Sequence, residues 1–183
     1  DLEQSDNEGE AQARQRFEAL LGDALERGLI QDAVVAESLQ QSQGLWHVRE
    51  SIPLAQSEEG LNIKHDIALP VSALPDFVEQ TDAALEAAIP GVRLVNFGHL
   101  GDGNLHYNVQ APVGGDARRF LAEREHEVNT LVYDAVQRFG GSISAEHGVG
   151  QLKREEIVER KSPVAIALMR RIKQALDPQG RLN

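Results

Sequence analysis

The stretch LNIKHDIAL, residues 61–69, sets Leu61, Ile63, His65, Ile67 and Leu69 on one side and Asn62, Lys64, Asp66 and Ala68 on the other. A period of two fits a β-strand that buries one face. The next segment changes period. From Ser72 to Ala88 the inward positions Leu74, Phe77, Val78, Thr81 and Leu85 recur at helical spacing, and Pro90-Gly91 ends them. Two strands are expected over 92–99 and 104–110, then a helix from Asp116 to Phe139 stopped by Gly140-Gly141, then a short strand at SISA, 142–145. The order β-α-β-β-α-β over 61–145 is that of a ferredoxin-like unit, α+β in class, with two helices on one face of an antiparallel sheet and the other face available.

Extra helices flank this unit. Phe17, Leu20, Leu21, Ala24 and Leu25 mark an amphipathic helix from Glu10 to Leu29. QDAVVAES, 31–38, has the β-branched centre of a strand, and SLQQSQGLWHVRESI, 38–52, reads as a helix ended by Pro53. With DLEQS as the remnant of a strand, these elements form a partial second unit. Near the C-terminus QLKREEIVERK, 151–161, reads as a solvated helix and AIALMRRIKQAL as a core-facing one. The 183 residues suit one domain, with room for two lobes of about 1–60 and 61–183.

Composition excludes several function classes. A net charge of −11 is a poor match for the phosphate backbone, so no nucleic-acid partner is expected. No apolar run approaches a transmembrane segment and the acidic opening is unlike a secretory leader, which predicts a cytoplasmic protein. Without cysteine, any metal must be held by His, Asp and Glu.

GHLGDGNLH, 98–106, centres on Asp102-Gly103, a strong hairpin signal. With those two residues as a type I′ turn, His99 stands opposite His106 and Phe97 opposite Asn108, so that two imidazoles face one cation and Asn108 lies beside it. A third ligand is required. GGSISAEHGVG, 140–150, offers Glu146, and a His2Glu set leaves coordination positions open as catalytic zinc sites do. Two readings rest on these residues alone: a stand-alone metallohydrolase, and a non-catalytic sensing or oligomerisation module whose glycines only shape turns.

Taken together, GHLGDGNLHYNV, SISAEHGVGQLK, LWHVRESI and DPQGRLN resemble, nearly end to end, the C-terminal substrate domain of the FAD-linked oxidases. That family includes D-lactate dehydrogenase, glycolate oxidase and D-2-hydroxyglutarate dehydrogenase. The resemblance implies a flavin-dependent D-2-hydroxy-acid dehydrogenase in which His99, His106 and Glu146 hold a divalent, zinc-like metal and His147 is the base beside it. It also implies that Arg49 and Lys64 bind the substrate carboxylate and that Asn108 touches the substrate. Some relatives carry a hydroxyl residue four positions after the arginine, where this chain has Pro53.

FAD in such enzymes sits on a separate N-terminal domain. No G-x-G-x-x-G follows a strand here, and GVG at 148–150 lacks the third glycine. The expectation is an excised domain that binds metal and, weakly, a small 2-hydroxy acid, but completes no turnover alone. Its expected partners are that substrate, its own FAD domain and a second copy in a homodimer.

Overall fold

A computed structural model describes residues 9–182, so the strand reading of DLEQS lies outside the described residues. The chain divides into two compact units, the first ending at Glu59 and the second beginning at Gly60. Among the described residues no helix is long and apolar enough to cross a membrane.

The first unit is helical: α1 (Glu10–Glu26), α2 (Leu39–Glu50) and α3 (Ile52–Glu58). Ser38 starts α2 by accepting the Gln41 N–H on its hydroxyl. One expectation fails here. Residues 31–37 form no strand, and Val34 is 73% exposed; a β-branched pair makes a strand only when a neighbouring strand takes its backbone groups. The helix expected over 38–52 is α2, which stops at Glu50, and Pro53 then lies in the first turn of α3, where its missing N–H is no loss. Among its described residues the first unit contains no strand.

The second unit contains β1 (Asn62–Ala68), α4 (Leu74–Ala88), β2 (Arg93–Phe97), β3 (Asn104–Gln110), α5 (Ala117–Arg138), α6 (Arg154–Arg160) and α7 (Pro163–Leu176). A 3-10 turn at Val71–Ala73 leads into α4. The three strands form one antiparallel sheet in the order β1-β3-β2, confirming an α+β class. Ile63, Ile67, Tyr107 and Val109 of the sheet are buried with Phe77 and Leu85 of α4 and Val128, Val132, Tyr133 and Val136 of α5 in a single core. Full burial of each such aliphatic or Phe side chain contributes about 1.5–3 kcal/mol. Asp116 caps α5 by accepting the Arg118 and Arg119 N–H groups. Its other end closes as a Schellman motif: Gly140, at φ 71°, donates to the Gln137 carbonyl and Gly141 donates to that of Val136.

SISA provides a bridge rather than a strand. Ser142 and Ala68 exchange both backbone hydrogen bonds. The ladder then slips by one residue, because Ala145 rather than Ser144 reaches the Asp66 carbonyl while the Ser142 hydroxyl turns back to Ser144. The solvated helix expected over 151–161 begins only at Arg154, and it buries Ile157. AIALMRRIKQAL does not face the core as expected. Only Ile166 of α7 is buried, whereas Leu168, Met169, Ile172 and Leu176 are exposed, since an apolar stripe on a helix does not specify what covers it.

Gly103 takes φ 75°, and its carbonyl accepts the Leu69 N–H at 3.0 Å while a side chain there would run into the Leu69 carbonyl. Gly103→Ala is expected to lower Tm by about 4 °C or more, from about 1–2 kcal/mol of left-handed strain plus that overlap. Thermal unfolding measures it.

His65, 1% exposed, lies 2.8 Å through Nδ1 from the Tyr107 carbonyl and 2.9 Å through Nε2 from the Asn129 side-chain amide, against the edge of Tyr133. Both ring nitrogens face oxygen acceptors, the Tyr107 carbonyl and Asn129 Oδ1, so these contacts favour the protonated ring. Burial first, with the Lys153 charge adding to it, outweighs these hydrogen bonds and pushes the imidazole down to about 4. In the unfolded chain the same ring takes up a proton near 6.5. His65 thus contributes full stability above pH 6.5, and the contribution falls between pH 6.5 and 4 by about 3 kcal/mol. Denaturant titrations across that range would show the decline, and an imidazole NMR signal titrating near 6.5 would contradict it.

Candidate metal centre

The sheet separates two chemistries. Ile63, His65 and Ile67 of β1 alternate toward the helices, which leaves Lys64 and Asp66 on the second face. In the β1–β3 register Asp66 stands opposite His106 and Lys64 opposite Asn108, so all four share that second face. Lys64 is exposed, whereas Asn108 is buried.

The expected hairpin register is wrong by two residues. Phe97 rather than His99 faces His106, and Val95 rather than Phe97 faces Asn108. Six residues, Gly98 to Gly103, join the strands in place of a two-residue turn, with a 3-10 turn at Leu100–Asp102 closed by left-handed Gly103. The Asn104 N–H closes this loop by donating to the His99 carbonyl and to the Asp102 carboxylate. Gly98 lies so close to the Asn104 carbonyl that any side chain would collide with it. His99 therefore leaves the ladder before the turn.

Glu146 reaches both imidazoles nonetheless. One carboxylate oxygen lies 3.5 Å from His99 Nδ1 and the other 3.4 Å from His106 Nε2. Both separations exceed an ordinary N–H···O bond of about 2.9–3.0 Å. They match instead the spacing of about 3.3 Å between two ligands of a tetrahedral ion bonded at about 2.0–2.1 Å. His106 and Glu146 are donors of the type a divalent, zinc-like cation takes, with His106 mostly covered and Glu146 about half exposed, and His99, about half exposed, adjoins them through the other Glu146 oxygen.

His147 is exposed. Its ring meets the His106 ring edge-on at 6.5 Å between centroids, and its carbonyl accepts the Ser144 hydroxyl. Arg49 is on α2 of the first unit, its guanidinium 6.0 Å from the Trp46 ring centre.

One residue was absent from the sequence-derived set. Asp66, 7% exposed, accepts the Glu146 N–H at 2.9 Å and the His147 N–H at 2.7 Å on Oδ2, and the Asn104 side-chain amide at 2.9 Å on Oδ1. Its Oδ1 lies 3.8 Å from His106 Nδ1. Burial raises the carboxyl, but the His147 N–H, the Asn104 amide, the Glu146 N–H and the nearby His106 outweigh it, so the group sits below the ordinary aspartate value. Asp66, His106 and Glu146 each offer an atom within 4.8 Å of the others. Alternation gave Asp66 the signature of a solvated polar face, and only its register with His106 distinguishes it.

Comparison with known proteins places the chain in a family. The model of the FAD linked oxidases, C-terminal domain, matches residues 2–183. The chain is 41% identical over 178 residues to a D-2-hydroxyglutarate dehydrogenase of Xanthomonas citri pv. viticola, covering 97% of this chain and 36% of that protein. It is 39% identical over 174 residues to the mitochondrial D-2-hydroxyglutarate dehydrogenase of Arabidopsis thaliana, covering 95% and 30% respectively. The Stutzerimonas stutzeri D-2-hydroxyglutarate dehydrogenase is 38% identical over 179 residues, 96% of this chain and 38% of that protein. The chain thus spans about a third of the length of these relatives. With a family match over nearly every residue, the chain belongs to the FAD-linked oxidases, as one of their C-terminal domains.

Proposed function

We propose that this chain is the substrate- and metal-binding domain of a flavin-dependent D-2-hydroxy-acid dehydrogenase, with D-2-hydroxyglutarate as the leading substrate. The observation that carries the reading is Glu146 set between His99 and His106 at ligand-to-ligand spacing. The relatives' names support the substrate.

Oxidising a 2-hydroxy acid removes a hydride from C2 and a proton from the hydroxyl. A divalent cation held by His99, His106 and Glu146 supplies the acidity that a free hydroxyl lacks near neutrality. His147 accepts the hydroxyl proton, the general-base role that an imidazole fills most often. Lys64, on the polar face of the sheet, supplies a point charge for the carboxylate. Asn108, across from Lys64, orients the substrate by hydrogen bonding.

For FAD the fit is poor within this chain. Gly148 and Gly150 lead into a turn and the seven-residue α6 rather than joining a strand to a long helix, so the diphosphate has no cradle there. The flavin, as hydride acceptor, belongs in this reading to the remaining two thirds of a full-length protein. The single bridge between Ser142 and Ala68 is read as the stub of a fourth strand, which completes a ferredoxin-like order. A cytoplasmic setting and a homodimer remain part of the proposal.

The full-length protein is expected to bind FAD and one divalent ion per chain and to reduce a dye with D-2-hydroxyglutarate faster than with D-lactate, glycolate or D-malate. A colourless full-length protein, or one that turns over only esters or phosphates, would overturn the assignment. His106→Ala should abolish metal retention by elemental analysis and slow dye reduction about 100-fold or more. Retention of the ion by this variant would remove His106 from the ligand set.

A further inference from the structure

Asp66 belongs by distance to the group of residues able to hold a cation, yet its hydrogen bonds describe another task. Oδ2 already accepts two backbone N–H groups, from Glu146 and His147, and Oδ1 accepts the Asn104 amide. An aspartate so engaged has little lone-pair capacity left for an ion. The Asp66 main chain adds a third tie to the same loop, its carbonyl accepting the Ala145 N–H at 3.2 Å. Three consecutive amides, at Ala145, Glu146 and His147, are thereby fixed to one residue of β1.

We propose that Asp66 is a positioning residue: its carboxylate clamps the 145–147 loop by its backbone to the strand facing His106, setting Glu146 between the histidines and His147 beside them, and it is not itself a ligand. The inference rests on the metal reading above for its consequence, though the clamp stands on hydrogen bonds alone. The loop needs such a tie because regular pairing with β1 stops after Ser142. Asn104 extends the clamp to the other ligand segment: its side chain donates to Asp66 while its backbone N–H closes on His99. Both segments that carry ligands off the sheet are thus referred to a single carboxylate.

Two substitutions separate a clamp from a ligand. Asp66→Asn keeps an oxygen for the Glu146 and His147 amides. Turning the Asn104 side chain would bring its Oδ1, buried and without a hydrogen-bond partner among the described residues, to face the new amide nitrogen. Asp66→Ala removes every side-chain acceptor and leaves only the backbone tie from Ala145. In metal-free full-length protein, hydrogen exchange over residues 142–150 should therefore accelerate in the Ala variant and remain near wild type in the Asn variant. Zn2+ affinity, measured by chelator competition, should fall about 10–100-fold in the Ala variant, the usual cost of losing a supporting group behind the ligands, and far less in the Asn variant.

If Asp66→Asn loses Zn2+ as completely as His106→Ala, Asp66 is a ligand and the proposal fails. It fails equally if exchange over 142–150 is unchanged in Asp66→Ala. Should the Ala variant not fold, the Asn variant decides alone by its zinc affinity and loop exchange. Wild-type protein that binds no Zn2+ would overturn the metal reading, while the exchange comparison would still decide the clamp.

Discussion

A buried carboxylate must be compensated by hydrogen bonds or charge, and the way Asp66 meets that requirement organises the second unit around it. Its partners come from three places in the chain: the loop after SISA, the first residue of β3, and His106 across the ladder. Each is remote in sequence, so satisfying one desolvated group draws the glycine-rich segments together. Sequence distance between Asp66 and His147 is long, but the hydrogen bond is among the shorter ones around the site. A polar group that buries itself only when several segments agree gives the fold a specificity that apolar packing alone lacks.

The sheet converts a period of two into a division of labour. Apolar alternates of β1 and β3 meet α4 and α5 and supply the cohesion, whereas the polar alternates Lys64, Asp66, His106 and Asn108 gather on the reverse side. Even the buried His65 belongs to the cohesive side, held neutral by burial between a carbonyl and an amide. Chemistry-bearing side chains are thus mounted on a rigid ladder, and only His99, Glu146 and His147 reach the site from irregular backbone. Glycine is required there for close approach: Gly98 against the Asn104 carbonyl and Gly141 against that of Ala68.

Much of this was legible in the sequence, and the failures share a cause. The alternation of 61–69, the helical spacing of 74–85 and the long helix before Gly140 all correspond to observed elements, because each is a local periodic signal with clear stops. Register is not local. Asp-Gly between strands suggested a two-residue turn, but Gly98 and the Asn104 closure lengthened it to six residues and moved His99 out of the ladder. The strand at 31–38 failed for want of a partner and that at 142–145 because its pairing with β1 slips after Ser142, neither of which a short window reveals. Recognising four motifs together pointed to His99, His106 and Glu146, while the carboxylate behind them carried no mark of its own.

The helical unit bears a different consequence. Among its described residues no apolar side chain is buried, and its ion pairs, such as Arg14 with Glu18 and Arg27 with Asp23, are exposed ones that add little in water. A segment so held opens locally at far lower free energy than a sheet packed on two helices. Residues 27–38, which join α1 to α2 without regular structure, are where a protease would nick the folded protein first. Arg49 therefore rides on the less durable of the two units.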